Sequence, residues 1–105
     1  MATGNILAEG NTDKLKLISV TLNPNNVVAG TTGTQSVTVP GVAVGDYVMV
    51  NKPIDTPGFM IGGARVIAAN TVQLSFGNPT AVDANPGSET WLFLVMRPDA
   101  TLTAF

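Results

Sequence analysis

The 105 residues include no cysteine and no histidine, and only 11% of them are charged. The first two absences remove disulfides, thiol nucleophiles, imidazole bases and nearly all zinc, copper and haem sites. Positive charge is scarce as well. Five Lys+Arg stand against seven Asp+Glu, giving a net charge of −2 and a pI near 4.6. A nucleic-acid binder needs the opposite, a clustered basic surface. Long apolar runs are also missing. The longest, Trp91 to Met96, is far short of the ~20 residues of a spanning helix, so no membrane partner is expected. The start, Met1-Ala2-Thr3-Gly4-Asn5, has neither the basic beginning nor the apolar stretch of a secretory signal. Synthesis in the cytoplasm without export by the general route is therefore expected.

The length suits one domain. Scaling for this mass leaves about 65% of the unfolded surface buried, enough for a real core. Yet the chain is 45% apolar with a mean hydropathy of +0.31, and its charged share is well under the usual quarter. Two surfaces fit these figures. In one, neutral polar residues cover the molecule, and thirteen Thr and nine Asn are available for this. In the other, which we favour, much of the surface lies against neighbours in an oligomer or a larger assembly.

Helical signals are almost absent. Eleven Gly and seven Pro interrupt the chain at short intervals, and no stretch shows an apolar stripe at i, i+3, i+4, i+7. Frequent Val and Thr favour pleated backbone. Residues 1–13 read as an extended N-terminal arm with Ile6 and Leu7 as its apolar pair, followed by a single β domain over 14–105. The first strand spans Lys14 to Leu22. Leu15 and Leu17 share one phase, and Ile18, Val20 and Leu22 the other, which implies a bulge or burial on both faces. Gly30 to Thr34 reads as a turn, and Gln35 to Val39 as an alternating strand. After the Gly45-Asp46 turn, Tyr47 to Val50 is apolar in both phases, so both of its faces should be covered. Residues 51–64 read as the longest irregular stretch. Within it, Phe59, Met60 and Ile61 are too apolar for an idle loop and should tuck onto the core or anchor in a partner. Arg65 to Gly77 reads as a hairpin turning at Asn70-Thr71, with Val72, Leu74 and Phe76 inward. Glu89 to Arg97 holds six consecutive apolar residues, so it should be a central or interface strand buried on both faces. Six to eight short strands at this spacing predict an all-β fold, a single small β-sandwich or β-barrel, jelly-roll-like.

Chemistry finds little support. The carboxylates Glu9, Asp13, Asp46, Asp55, Asp83, Glu89 and Asp99 sit mostly in turns or at strand ends, not as a pair facing one cleft. No serine has a lysine at Ser-x-x-Lys spacing. Asp83-Ala84-Asn85 is only a fragment of a calcium loop and lacks the closing Glu. Gly58 to Gly63 has no following Lys-Ser/Thr and is no phosphate loop. Lys14 and Lys16 are too few for a nucleic-acid patch. No catalytic residue, cofactor or metal is expected.

One ordered set of motifs is familiar. Ser36 to Val50, with Pro40-Gly41 and Gly45-Asp46, is followed by Ala69-Asn70-Thr71 and Val72 to Thr80, and then by the aromatic-led strand Thr90 to Val95. The succession of a Gly-Asp turn, an extended strand, a loop, an Asn-Thr hairpin and a Trp strand resembles small virion proteins of tailed bacteriophages, over roughly residues 35–97. That resemblance implies a structural, non-enzymatic virion part made in the host cytoplasm. Such proteins include capsid decoration (cement) proteins and pieces of fibres or spikes, and the small size and chemical inertness of this chain favour the first: a cement protein bound to the major capsid protein on the outer surface of the head, stabilising capsomer joints as a homo-oligomer, a trimer or a dimer. The alternative is a receptor- or glycan-binding module of a tail fibre or spike, using Tyr47, Trp91 and the 78–88 loop. The shared positions are turn and core positions, so no functional residue carries over. Ile6, Leu7, Phe59, Met60 and Ile61 are the candidate partner contacts on the bottom-up reading.

Overall fold

The computed structural model describes residues 12–99. It is an all-β sandwich of six strands: β1 (Thr12–Leu22), β2 (Thr32–Thr38), β3 (Tyr47–Asn51), β4 (Met60–Ala68), β5 (Thr71–Gly77) and β6 (Glu89–Pro98). They form two antiparallel three-stranded sheets, ordered β1-β6-β3 and β2-β5-β4. Each sheet thus centres on the strand with the strongest apolar pattern. The candidate contacts Ile6 and Leu7 lie outside the described residues.

Three boundaries differ from the sequence reading. β1 begins at Thr12, which pairs with Pro98, and Asp13 occupies the bulge before Lys14 pairs with Arg97. β2 begins at Thr32 despite Gly33, because Thr32 and Gly33 pair with Gly77 and Phe76 of β5. The stretch 51–64 is irregular only as far as Phe59. Met60 opens β4, and Gly62 is accommodated by a register shift between Ile61 and Gly63, a bulge of the kind glycine favours in strands.

The core forms between the two inner faces. Trp91 and Phe93 of β6, Val72 and Leu74 of β5, and Val39 are fully buried. Phe59 reaches in from the loop before β4. Its ring lies 4.6 Å from Phe76 and 6.5 Å, edge-on, from Trp91. Such aromatic pairs add about 0.5–1.5 kcal/mol beyond their burial.

Buried polar groups hold the connections in place. Asn78 is 2% exposed. Its side-chain amide donates to the carbonyls of Val27 (3.0 Å) and Val82 (2.7 Å), while Oδ1 accepts from the Thr80 backbone and hydroxyl. Gly58 has φ +82° and approaches this knot so closely that a Cβ there would lie 3.0 Å from Thr80 Oγ1. Lys52 and Glu89 form a buried ion pair of 2.9 Å, with side chains 8% and 3% exposed. Lys52 also donates to Thr56 Oγ1 and to the Ile54 carbonyl, so the loop leading to Phe59 is fastened to the start of β6.

Candidate interaction face

Alternation along a strand divides side chains between two faces, and the register fixes which neighbours they meet. In the first sheet, Ile18, Val20, Val48, Val50, Trp91, Phe93 and Val95 point inward. The opposite phase builds the outer face in rows across β1, β6 and β3. Leu15 and Tyr47 flank Met96, and Leu17 and Met49 flank Leu94. Ser19 and Asn51 flank Leu92, and beyond them the Thr21 and Thr90 hydroxyls pair at 3.1 Å. Leu17 is 65% exposed, Tyr47 58% and Met49 52%. Leu92, Leu94 and Met96 are half-buried between their neighbours.

Among the described residues β3 and β6 are covered on one face only, so the cover expected for their second apolar phase does not come from those residues and that phase faces outward. The two phases of β1 are likewise its two faces. The bulge in β1 falls between Thr12 and Lys14, outside the Leu15–Leu22 segment whose change of phase suggested one.

The other sheet is its opposite. The outward phase of β2 is Thr32, Thr34, Ser36 and Thr38, and that of β5 is Thr71, Gln73 and Ser75. Arg65 of β4 donates to Gln73 Oε1 across this face. Neutral polar residues thus cover β2 and β5 on one side of the sandwich, while most exposed apolar strand residues collect on the other. The polar sheet keeps two exposed apolar side chains, Met60 and Ile67 of β4, and Val28, Val44, Ile54 and Val82 stand in loops; scattered singly, these need no special account.

The edge of the apolar sheet is defended. β1 is an edge strand of eleven residues, and a long bare edge invites pairing with another chain. Lys14 and Lys16 lie on its inward phase, beside Arg97 and Val95, and stay exposed. Inward-pointing lysines on an edge oppose strand addition. The face carries no such guard.

One ion pair orients the tyrosine end of the face. Arg97 donates to both Asp46 carboxylate oxygens, at 2.8 and 2.9 Å, and to the Gly41 carbonyl at 3.0 Å. Asp46 also accepts from the Ala43 backbone at 2.9 Å, fixing the turn that launches Tyr47. The Arg97 hydrogen bonds hold the Asp46 carboxyl below its ordinary value; burial opposes them in part, and the Ala43 N–H lowers it further. A carboxylate depressed by folding stabilises the fold above its unfolded pKa of about 3.9, and that contribution disappears as pH falls through the folded value. The urea midpoint of the wild type should therefore fall more steeply with acidification below about pH 4 than that of Asp46→Asn. Parallel acid limbs would show that this pair is not linked to folding.

The structure places the sequence-derived contacts unequally. Phe59 is core, and Ile61 packs partly against it. Met60 is 57% exposed on the outward phase of β4. Trp91 is fully buried and cannot stack on a sugar. Asp83 accepts from the Ala29 backbone at 2.9 Å and so serves a turn. No cluster of three or more potential metal-ligating residues occurs among the described residues. Leu15, Leu17, Met49, Leu94 and Met96, which build the exposed apolar face, were not singled out from the sequence because their spacing reads equally well as a second buried face. The sequence matches no protein-family model, and neither a curated protein nor a solved structure matches it.

Proposed function

We propose that this chain is a structural virion protein, a capsid decoration protein on the head of a tailed phage whose apolar sheet is covered within the assembly, by a sister subunit or by the shell. The observation that carries the reading is the polarised sandwich. One outer face is mostly hydroxyl-, amide- and arginine-covered, with Met60 and Ile67 as its exposed apolar exceptions, and the other is uncharged and largely apolar over three rows, as a docked surface requires. The motif resemblance supplies the virion context. Mechanically, a rigid β-module that adds contact area across a capsomer joint resists the outward push of a packaged genome. Repetition over many copies multiplies weak individual contacts. No part of this role needs a reacting group. The glycan-binding alternative loses one of its named residues, because Trp91 is enclosed by the core.

Quantitative mass spectrometry of purified particles tests the proposal. A copy number comparable with that of the major capsid protein is expected, and a chain lacking residues 1–11 should bind such particles more weakly while keeping its fold. A copy number of only a few per particle, or absence from particles, rejects a decoration role. Unchanged occupancy of the truncated chain removes Ile6 and Leu7 from the contacts.

A further inference from the structure

We infer that the apolar face of the first sheet pairs with the same face of a second copy, giving a two-fold dimer with the two polar sheets outermost. This deepens the reading above, because it names the occupant of the face that the decoration role leaves covered.

Three observations select a second copy. The first is charge. Any ionisable group near the middle of a face would meet its own image across a two-fold axis and repel it. The three rows centred on Met96, Leu94 and Leu92 hold none that is charged at neutral pH, and their margin is Ser19, Asn51, Thr21 and Thr90. The second is area. Four of the seven apolar residues, Leu15, Leu17, Tyr47 and Met49, are 43–65% exposed and the other three half-buried, a contiguous patch on the order of several hundred Å². With the polar margin it approaches the ~800 Å² per partner of a standard interface. Tyr and Met, which supply three of the seven, are among the residue types enriched in interface cores. The third is shape. A three-stranded sheet face packs readily on another sheet face at about 10 Å separation, and the inner face of this same sheet already packs against the second sheet through Trp91 and Phe76. The lysines on the β1 edge disfavour the competing mode, edge-to-edge strand pairing.

Leu94 lies on the central strand in the middle row, so a two-fold axis through the patch centre sets it against its own copy. Sedimentation equilibrium of the full chain should show a dimer at micromolar concentrations. Leu94→Lys and Leu94→Glu, each alone, should raise the dimer dissociation constant at least about 100-fold, since each buries a pair of like charges. An equimolar mixture of the two should recover the dimer. Leu17→Lys, at a mostly exposed position, provides a second variant with little risk to folding, and thermal melts verify that each variant is folded. A wild type that stays monomeric at about 100 μM, far above the dissociation constants of stable interfaces, overturns the dimer. So does a folded Leu17→Lys variant that dimerises normally. A monomer that still binds particles, and loses binding with Leu17→Lys, overturns the second copy as occupant but retains the docked face. A monomer found on no particle ends both.

Discussion

Trp91→Ala is expected to cost about 3–5 kcal/mol of folding stability, the range for emptying a large aromatic site in a packed core. Trp91 touches the element on which both sheets depend. It lies on the central strand of the first sheet, is fully buried, and faces Phe59 and Phe76, which bring in the loop before β4 and the central strand of the second sheet. A domain of this size loses roughly 4–8 °C in Tm per kcal/mol, so a drop of about 12 °C or more is expected. Trp91→Phe should cost clearly less. The indole Nε1 is buried without a hydrogen-bond partner among the described residues, and an unpaired buried donor carries a penalty of about 1–3 kcal/mol that phenylalanine removes. Urea titration of the three proteins decides the matter. A loss under about 1 kcal/mol for Trp91→Ala would mean that the two sheets do not share one core.

The second large effect belongs to Lys52 and Glu89. Removing one member of a buried ion pair leaves the other charge unpaired, typically at a cost of about 3–5 kcal/mol, whereas replacing both with apolar groups is often neutral. Glu89→Leu should therefore be severe. It strips Lys52 of its carboxylate and leaves the ammonium with only Thr56 Oγ1 and the Ile54 carbonyl, above the Phe59 ring. Lys52→Met combined with Glu89→Leu should recover most of the loss, giving a coupling energy well above the 0.5 kcal/mol or so that separates interacting from independent sites. Additive losses in the double-mutant cycle would show that the two side chains act separately.

The contrast between these residues shows what was legible in the sequence. Alternation at Val72, Leu74 and Phe76, together with the Asn70 turn, marked β5 and the second half of β4, because a hairpin is local; the first half of β4, from Met60 to Ala64, was hidden by its two glycines. Asn70 takes the left-handed conformation at φ 60°, which asparagine tolerates. The continuous run Trp91 to Met96 identified a central strand. It could not tell whether its second face is covered by the same chain or left for another, since both produce the same residue pattern. Only the pairing of Leu15 with Met96, and of Leu17 and Met49 with Leu94, turns scattered apolar residues into one surface. Glu89, at a strand start, read as a solvated end. Its burial depends on Lys52, thirty-seven residues away in sequence, and a partnership at that distance leaves no local signal. Phe59, Met60 and Ile61 read as one apolar group, yet the core takes Phe59 and part of Ile61 while strand alternation turns Met60 outward.

Methionine oxidation puts the docked face to the most direct test. Met49 on the apolar face and Met60 on the other sheet are 52% and 57% exposed in the single chain, and oxidation follows exposure. In dilute protein the two should react with peroxide at similar rates, as peptide mass spectrometry would read. In concentrated or particle-bound protein Met49 should slow several-fold relative to its dilute rate. A Met49 that oxidises equally fast when dilute, concentrated and particle-bound would contradict the account.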